Sequence, residues 1–239
     1  MTRVEICVET PQGIAAANAA GADRIELCAS LDVGGLTPSA GLMRQAARGH
    51  VATLAMIRPR GGSFVFDHDE AAVMVDDIRT ARDCGLTGVV LGAIRPDGDL
   101  DHDLLLRLSG HCAGMERTLH RVFDLVRDPS AELEFAVRAG FTRILTSGQR
   151  PTAPQGQECL APRPAPAAGR GRGLGGGGGA PRQGGARVRA PGGGEVHASC
   201  RQHVLPSAGG DGAFGFGPMP GRTDPDAIRA LMIAAQGVS

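Results

Sequence analysis

The first 150 residues repeat one unit: a short β-branched run, a turn, then an amphipathic stretch with helical spacing. The candidate strands are Arg3–Val8, Arg24–Cys28, Val51–Ile57, Gly88–Gly92, Met115–His120 and Thr142–Thr146. The candidate helices between them are Gly13–Ala20, Ser39–Arg48, Asp69–Cys84, Asp101–Gly110 and Ser130–Ala139. Strand alternating with helix calls for a parallel sheet, because parallel neighbours need a long crossover. Gly21, Gly85 and Gly140 each fall just past a helix, where a left-handed cap belongs. Gly21-Ala22-Asp23-Arg24-Ile25 and Gly140-Phe141-Thr142-Arg143-Ile144 read as two copies of one helix-to-strand junction. Such an echo favours a repeated βα barrel over a doubly wound sheet. An eight-unit barrel takes about 250 residues. At 239 residues, one α/β barrel of the TIM (β/α)8 type accounts for nearly the whole chain, residues 1–239 as one domain.

Polar residues interrupt the strands with a period of two. Glu5 and Cys7 alternate with Val4, Ile6 and Val8, and Glu26 and Cys28 alternate with Ile25 and Leu27. Successive strand side chains face opposite ways, so each Glu shares a face with its Cys. A carboxylate fits poorly between a strand and a helix. Both pairs should therefore point into the barrel, as partners of interior arginines or as working groups.

Residues 161–194 break the rhythm. Of these 34 residues, 13 are Gly, 7 Ala, 6 Arg and 5 Pro, and none is acidic. The segment has almost nothing to bury, so packing cannot offset its chain entropy. It lacks the aromatics of an RNA-binding RGG tract. The chain has no Lys, Trp or Tyr and one Asn, which marks a GC-rich gene. Gly, Ala, Pro and Arg are the residues whose codons can be all G and C. A pair of compensating frameshifts, out near Leu160 and back near Glu195, explains the segment. On this reading the seventh βα unit is degraded or disordered, and one alternative is a non-functional product. Ordinary sequence resumes at Glu195-Val196-His197-Ala198-Ser199-Cys200, which reads as a strand.

Charge and patterning exclude several classes. Formal net charge is zero, which argues against binding nucleic acid along the whole chain. No apolar run reaches the ~18 residues of a membrane span. The N-terminus Met1-Thr2-Arg3-Val4-Glu5 lacks an apolar signal core, so a cytoplasmic protein is expected. Six cysteines without a C-x-x-C pair should there be free thiols.

Six motifs follow the strands in order. They are Ile25-Glu26-Leu27-Cys28, Gly34-Gly35-Leu36-Thr37-Pro38-Ser39, Ile57-Arg58-Pro59-Arg60-Gly61-Gly62, Leu119-His120-Arg121-Val122-Phe123-Asp124, Leu145-Thr146-Ser147-Gly148 and Glu195-Val196-His197-Ala198-Ser199. Together they resemble the copper homeostasis protein CutC family, from Val4 to about Leu160 and again from Glu195. The resemblance implies a TIM barrel and a role in copper homeostasis. It also implies Cys7 and Cys28 as copper ligands, positions proposed for that role in the family. The family has a strand with a glycine-rich turn before the last barrel strand. Gly175–Gly179 stands near that place without an apolar strand.

In such barrels the chemistry sits at the C-terminal ends of the strands. Arg58, His120, Asp124, Thr146, Ser147, His197 and Ser199 fall at or just beyond strand ends, with Glu5 and Glu26 below them. Arg58 and Arg60 offer forked donors for a carboxylate or phosphate. His120 and His197 are candidate acid–base groups, with Glu26 as the opposite partner and Asp124 beside them. Glu5, Thr146, Ser147 and Ser199 complete a polar mouth for substrate. Cys7 and Cys28 occupy like places on adjacent strands, and soft thiolates favour Cu(I). Two functional classes stay open: Cu(I) binding, or an enzyme acting on a small anionic molecule. A homo-oligomer is a further expectation, since barrels of this kind associate. Phe214-Gly215-Phe216-Gly217-Pro218 is a candidate lid, and Asp224-Pro225 starts a last helix whose Ile228, Leu231 and Met232 should dock on the wall.

Overall fold

The computed structural model describes residues 2–156, 172–176, 194–202 and 221–236, the strand 172–176 by its backbone alone. The chain runs β1 (Arg3–Val8), α1 (Pro11–Ala19), β2 (Arg24–Leu27), α2 (Ala40–Ala46), β3 (Thr53–Met56) and α3 (His68–Asp83). It continues with β4 (Gly88–Leu91), α4 (His102–Gly110), β5 (Glu116–Leu119), α5 (Pro129–Arg138), β6 (Arg143–Thr146), β7 (Arg172–Gly176) and β8 (Glu195–Ala198). A two-stranded ribbon, β9 (Arg201–Gln202) with β10 (Arg222–Thr223), precedes α6 (Pro225–Gln236). Strands β1 to β8 form a closed parallel barrel, and β1 pairs with β8 through Arg3↔Glu195 and Glu5↔His197.

Local chemistry sets the boundaries. Thr10 accepts the Gly13 N–H at 3.0 Å and Pro11 opens α1, so that helix starts two residues earlier than its apolar spacing suggests. Asp67 and Glu70 form a reciprocal capping box at the start of α3. The three helix-ending glycines, Gly21, Gly85 and Gly140, have φ of 69°, 82° and 81°, as the repeated junction requires. Asp224 accepts the Asp226 N–H at 2.8 Å, and Ile228 of α6 is fully buried with Leu231 and Met232 packed beside it.

The expected degradation of the seventh unit meets a strand at the backbone level. β7 pairs with β6 through Ile144↔Gly173 and with β8 through Gly175↔Val196. Backbone pairing needs no side chain, so a glycine-rich strand can hold this place. The rest of the 161–194 segment, Cys159 and the Phe214–Pro218 loop lie outside the described residues.

Two apolar layers result from the alternation. Val4, Ile6, Ile25, Leu27, Ala55, Val89, Leu91 and Ile144 face the helices in the larger core. Cys7, Cys28, Leu54, Met56 and Val90 form a smaller cluster in the barrel lumen. Gly88 sits in register with Glu116, and a Cβ there would collide with the Glu116 carbonyl. Gly88→Ala is expected to destabilise the barrel by about 1–3 kcal/mol, since a strand backbone cannot turn aside as a side chain can. Urea unfolding measures this, and an unchanged midpoint would mean that the β4–β5 spacing relaxes freely.

Candidate functional site

The lumen is charged at its base. Arg24 projects inward from β2 two residues before Glu26 and hydrogen-bonds both Glu5 and Glu195. Arg143 similarly joins Glu116 and, at 3.2 Å, the Thr118 hydroxyl. The inward carboxylates are thus partly partners of interior arginines, as the strand pattern suggested. Neither Arg24 nor Glu195 was picked out from the sequence, although Arg24 shares the face of Glu26.

His197 stands above this base between two carboxylates. Its Nδ1 lies 2.8 Å from Glu5 Oε1 and its Nε2 lies 3.2 Å from Glu26 Oε2. Burial disfavours the charged ring, but the Glu26 charge, the Cys7 contact and Glu5 outweigh it and raise the His197 pKa well above 6.5. Burial also opposes ionisation of Glu5, yet His197 and Arg24 hold its pKa down at about 2. Glu26 goes the other way, raised by burial with the nearby Glu5 adding to the effect.

Cys7 brings sulfur to this group. Ligand atoms of Cys7, Glu26 and His197 all lie within 4.8 Å of one another. Cys28 Sγ lies 3.7 Å from Cys7 Sγ, behind it in the lumen cluster. The hydrogen bond to Cys28 and burial push the Cys7 thiol well above 9.0. For Cys28 that same hydrogen bond acts downward, but burial and the surrounding carboxylates prevail and set its pKa at about 11. Both sulfurs are therefore neutral thiols until something displaces their protons.

A cavity of about 320 Å³ opens above these residues at the C-terminal ends of the strands. Cys7, Glu26 and His197 line one part of it, and Arg58, Phe64 and His120 another. Ser199 lies at its edge, with Arg121 and Arg201, which the sequence reading passed over. The Arg58 guanidinium lies 4.6 Å over the Phe64 ring, and the His120 ring is 4.8 Å from the same ring. Phe64 sits in a loop between β3 and α3, where no strand pattern marks it.

Four expectations need correction. His120 is not an acid–base group near neutral pH: burial and the Arg58 charge push its pKa to about 3. Its Nδ1 accepts the Val122 N–H at 3.2 Å, which places the proton of the neutral ring on Nε2. Arg60 turns away from the cavity to Glu70 and lies over Phe66, anchoring the loop to the start of α3. Asp124 accepts from the Thr146 hydroxyl at 2.6 Å, the Ser147 N–H at 3.1 Å and Arg121 at 2.9 Å. Asp124, Thr146 and Ser147 therefore fasten the β5 and β6 loops together and do not line the cavity. Finally, Glu5 is buried below the cavity between Arg24 and His197 and does not line it.

The sequence model of the CutC family matches residues 2–202, more than four-fifths of the chain and every strand of the barrel. The chain belongs to the CutC family. A family protein CutC of Sinorhizobium medicae is 57% identical over 157 residues, covering 66% of this chain and 64% of that protein. The corresponding protein of Rhizobium meliloti is 54% identical over 162 residues, covering 67% and 66%. The matched stretch thus spans just under two thirds of the length of these relatives. The crystal structure of a Streptococcus agalactiae protein assigned to copper homeostasis, CutC, superposes with a TM-score of 0.72 at 25% identity. It covers 83% of this chain and 99% of that one. The CutC relationship and the closed barrel agree on the fold, and the lumen cluster lies inside the family-matched region.

Proposed function

We propose that this CutC-family chain acts in copper homeostasis by binding Cu(I) in the barrel lumen, on Cys7 and Cys28 with His197 as third donor. The observation that supports it is the position of Cys7 Sγ, 3.7 Å from Cys28 Sγ and within 4.8 Å of a His197 nitrogen. Two sulfurs and an imidazole suit a soft monovalent ion, and the bound metal stays below the cavity mouth, shielded from water. Among the described residues Cys7, Cys28, Cys84, Cys112 and Cys200 are free thiols, as a reducing compartment requires. The cytoplasm is the compartment this reading needs. No helix among the described residues is long and apolar enough to cross a membrane.

Ligand protons set the pH dependence. Both thiols have raised pKa values, and His197 is protonated between its carboxylates. Cu(I) must displace these protons, so its affinity should rise with pH. Titration against a competing Cu(I) chelator is expected to give one ion per chain. Cys7→Ser should lower the affinity by more than tenfold, and Cys28→Ser should do the same. Unchanged stoichiometry and affinity in both variants would sink the copper reading.

A further inference from the structure

Among the described residues one group of three metal-ligating side chains stands together. It is Cys7, Glu26 and His197, each offering one donor atom within 4.8 Å of the other two. They come from β1, β2 and β8, which closure of the barrel makes neighbours. Cys7 is in register with Glu26, and Glu5, two residues before Cys7, is in register with His197. Cys28, the second sulfur of the copper reading, is not a member of this group. The lumen therefore holds two overlapping donor sets that share Cys7 and His197. One adds a second sulfur, and the other adds a carboxylate.

The set with the carboxylate has the chemistry of a different ion. Zinc takes sulfur, imidazole and carboxylate ligands alike, whereas Cu(I) selects the sulfurs. Charge points the same way. Cys7 and Glu26 are only 4% and 2% exposed. A divalent ion with the Cys7 thiolate and the Glu26 carboxylate sums to zero, which a buried place tolerates best.

The histidine is already held as a ligand would be. Its Nδ1 is committed to Glu5 at 2.8 Å, which leaves Nε2 to face Glu26 Oε2 at 3.2 Å. Two nitrogen or oxygen ligands of a tetrahedral zinc ion, each about 2.0–2.2 Å from it, stand about 3.3 Å apart. Glu5 is itself held from below by Arg24. A histidine that turns its other nitrogen to an anchored carboxylate is the usual outer support of a metal ligand. Cys7 completes the group, in contact with both His197 and Glu26. The cavity lined by all three residues has room for a water as fourth ligand.

The geometry points to a site for a divalent ion of the zinc class on Cys7, Glu26 and His197. This goes beyond the copper reading, because it exchanges Cys28 for Glu26 and changes the class of ion. The two ions compete for Cys7 and His197, so one chain holds either but not both.

Zn(II) and Co(II) are the probes, added to the full chain in a non-thiol reductant after a chelator has stripped it. Zn(II) affinity is read against a chromophoric chelator, and Co(II) reports its ligands by absorbance. One Zn(II) per chain should bind with a Kd of about a micromolar or tighter. Bound Co(II) should show a near-ultraviolet thiolate charge-transfer band, and Cys7→Ser should abolish it. Glu26→Gln should weaken Zn(II) about tenfold or more without weakening Cu(I). Cys28→Ser should weaken Cu(I) and spare Zn(II). The inference is overturned if the wild type gives no thiolate band, or if Glu26→Gln binds Zn(II) like the wild type. It is also overturned if Cys28→Ser loses Zn(II) as fully as Cu(I), which would put zinc on the cysteine pair. The Co(II) spectrum needs no variant, so a Glu26→Gln chain that fails to fold leaves the test standing. A Cys28→Ser chain that keeps both ions counts against the copper donors alone, so the two failures are distinct.

Discussion

Arg24→Met is expected to destabilise the barrel by about 3–5 kcal/mol, the usual result of removing one partner of a buried ion pair. Arg24 is 4% exposed and reaches two carboxylates, Glu5 and Glu195, which are 1% and 4% exposed. Glu5 keeps His197 when Arg24 is lost. Glu195 Oε2 loses the arginine, and Glu195 Oε1 already lacks a partner among the described residues. The variant thus leaves a carboxylate stranded where β1, β2 and β8 meet, at the closure of the barrel. A loss of this size is a large share of the ~5–15 kcal/mol that holds a typical domain together.

The destabilisation would come from the stranded charge and not from the lost attraction. Replacing a whole buried ion group with apolar residues of similar size is often neutral or stabilising. Arg24→Met combined with Glu195→Leu should therefore recover most of the stability that Arg24→Met loses. Urea unfolding of the two variants separates these accounts. A double variant as unstable as the single one would show that the ion group itself supports the barrel.

Much of this architecture was legible from local pattern. The repeated Gly-x-x-Arg-Ile junction marked β2 and β6, and both strands begin at that Arg. The alternation of Glu5 with Cys7 and of Glu26 with Cys28 placed four side chains in the lumen, because strand periodicity is geometric and depends on no neighbour. The failures share a different origin. Arg60 and Arg58 looked alike because both follow a strand, but only loop conformation decides that Arg60 turns to Glu70. His120 looked like a proton carrier because an isolated imidazole titrates near neutrality. Its burial beside Arg58 exists only once β3 and β5 are side by side with Phe64 over them. His197 joining Glu5 is likewise a product of ring closure between the first and last strands. β7 carries no apolar pattern for the sequence to display, and its pairing on both edges uses backbone atoms alone.

Acid should unfold the wild type more steeply than Glu5→Gln. The folded pKa of Glu5 is about 2, below its ordinary value of 4.5. A carboxylate with a depressed pKa contributes stability that is fully present above pH 4.5 and is lost as pH falls toward 2. That interval amounts to roughly 3 kcal/mol at 1.36 kcal/mol per pKa unit. Through the same interval Arg24 and His197 stay protonated, and Asp124, Glu70, Asp99 and Asp224, also lowered, titrate in both proteins, so the difference between the two acid limbs belongs to Glu5. Glu5→Gln has no charge to lose there, and its acid limb should be flatter by that order. Parallel acid limbs in urea titrations from about pH 5 to pH 2.5 would contradict the assignment. The alkaline side has the opposite sign. His197 has a raised pKa, so its contribution is fully present below 6.5 and is lost as pH rises through the folded value. Glu26, also raised, becomes a burden above 4.5, because the unfolded chain ionises before the folded one. Stability should therefore fall toward high pH as well, first through Glu26 and then through His197. Glu26→Gln should remove the earlier of those two declines.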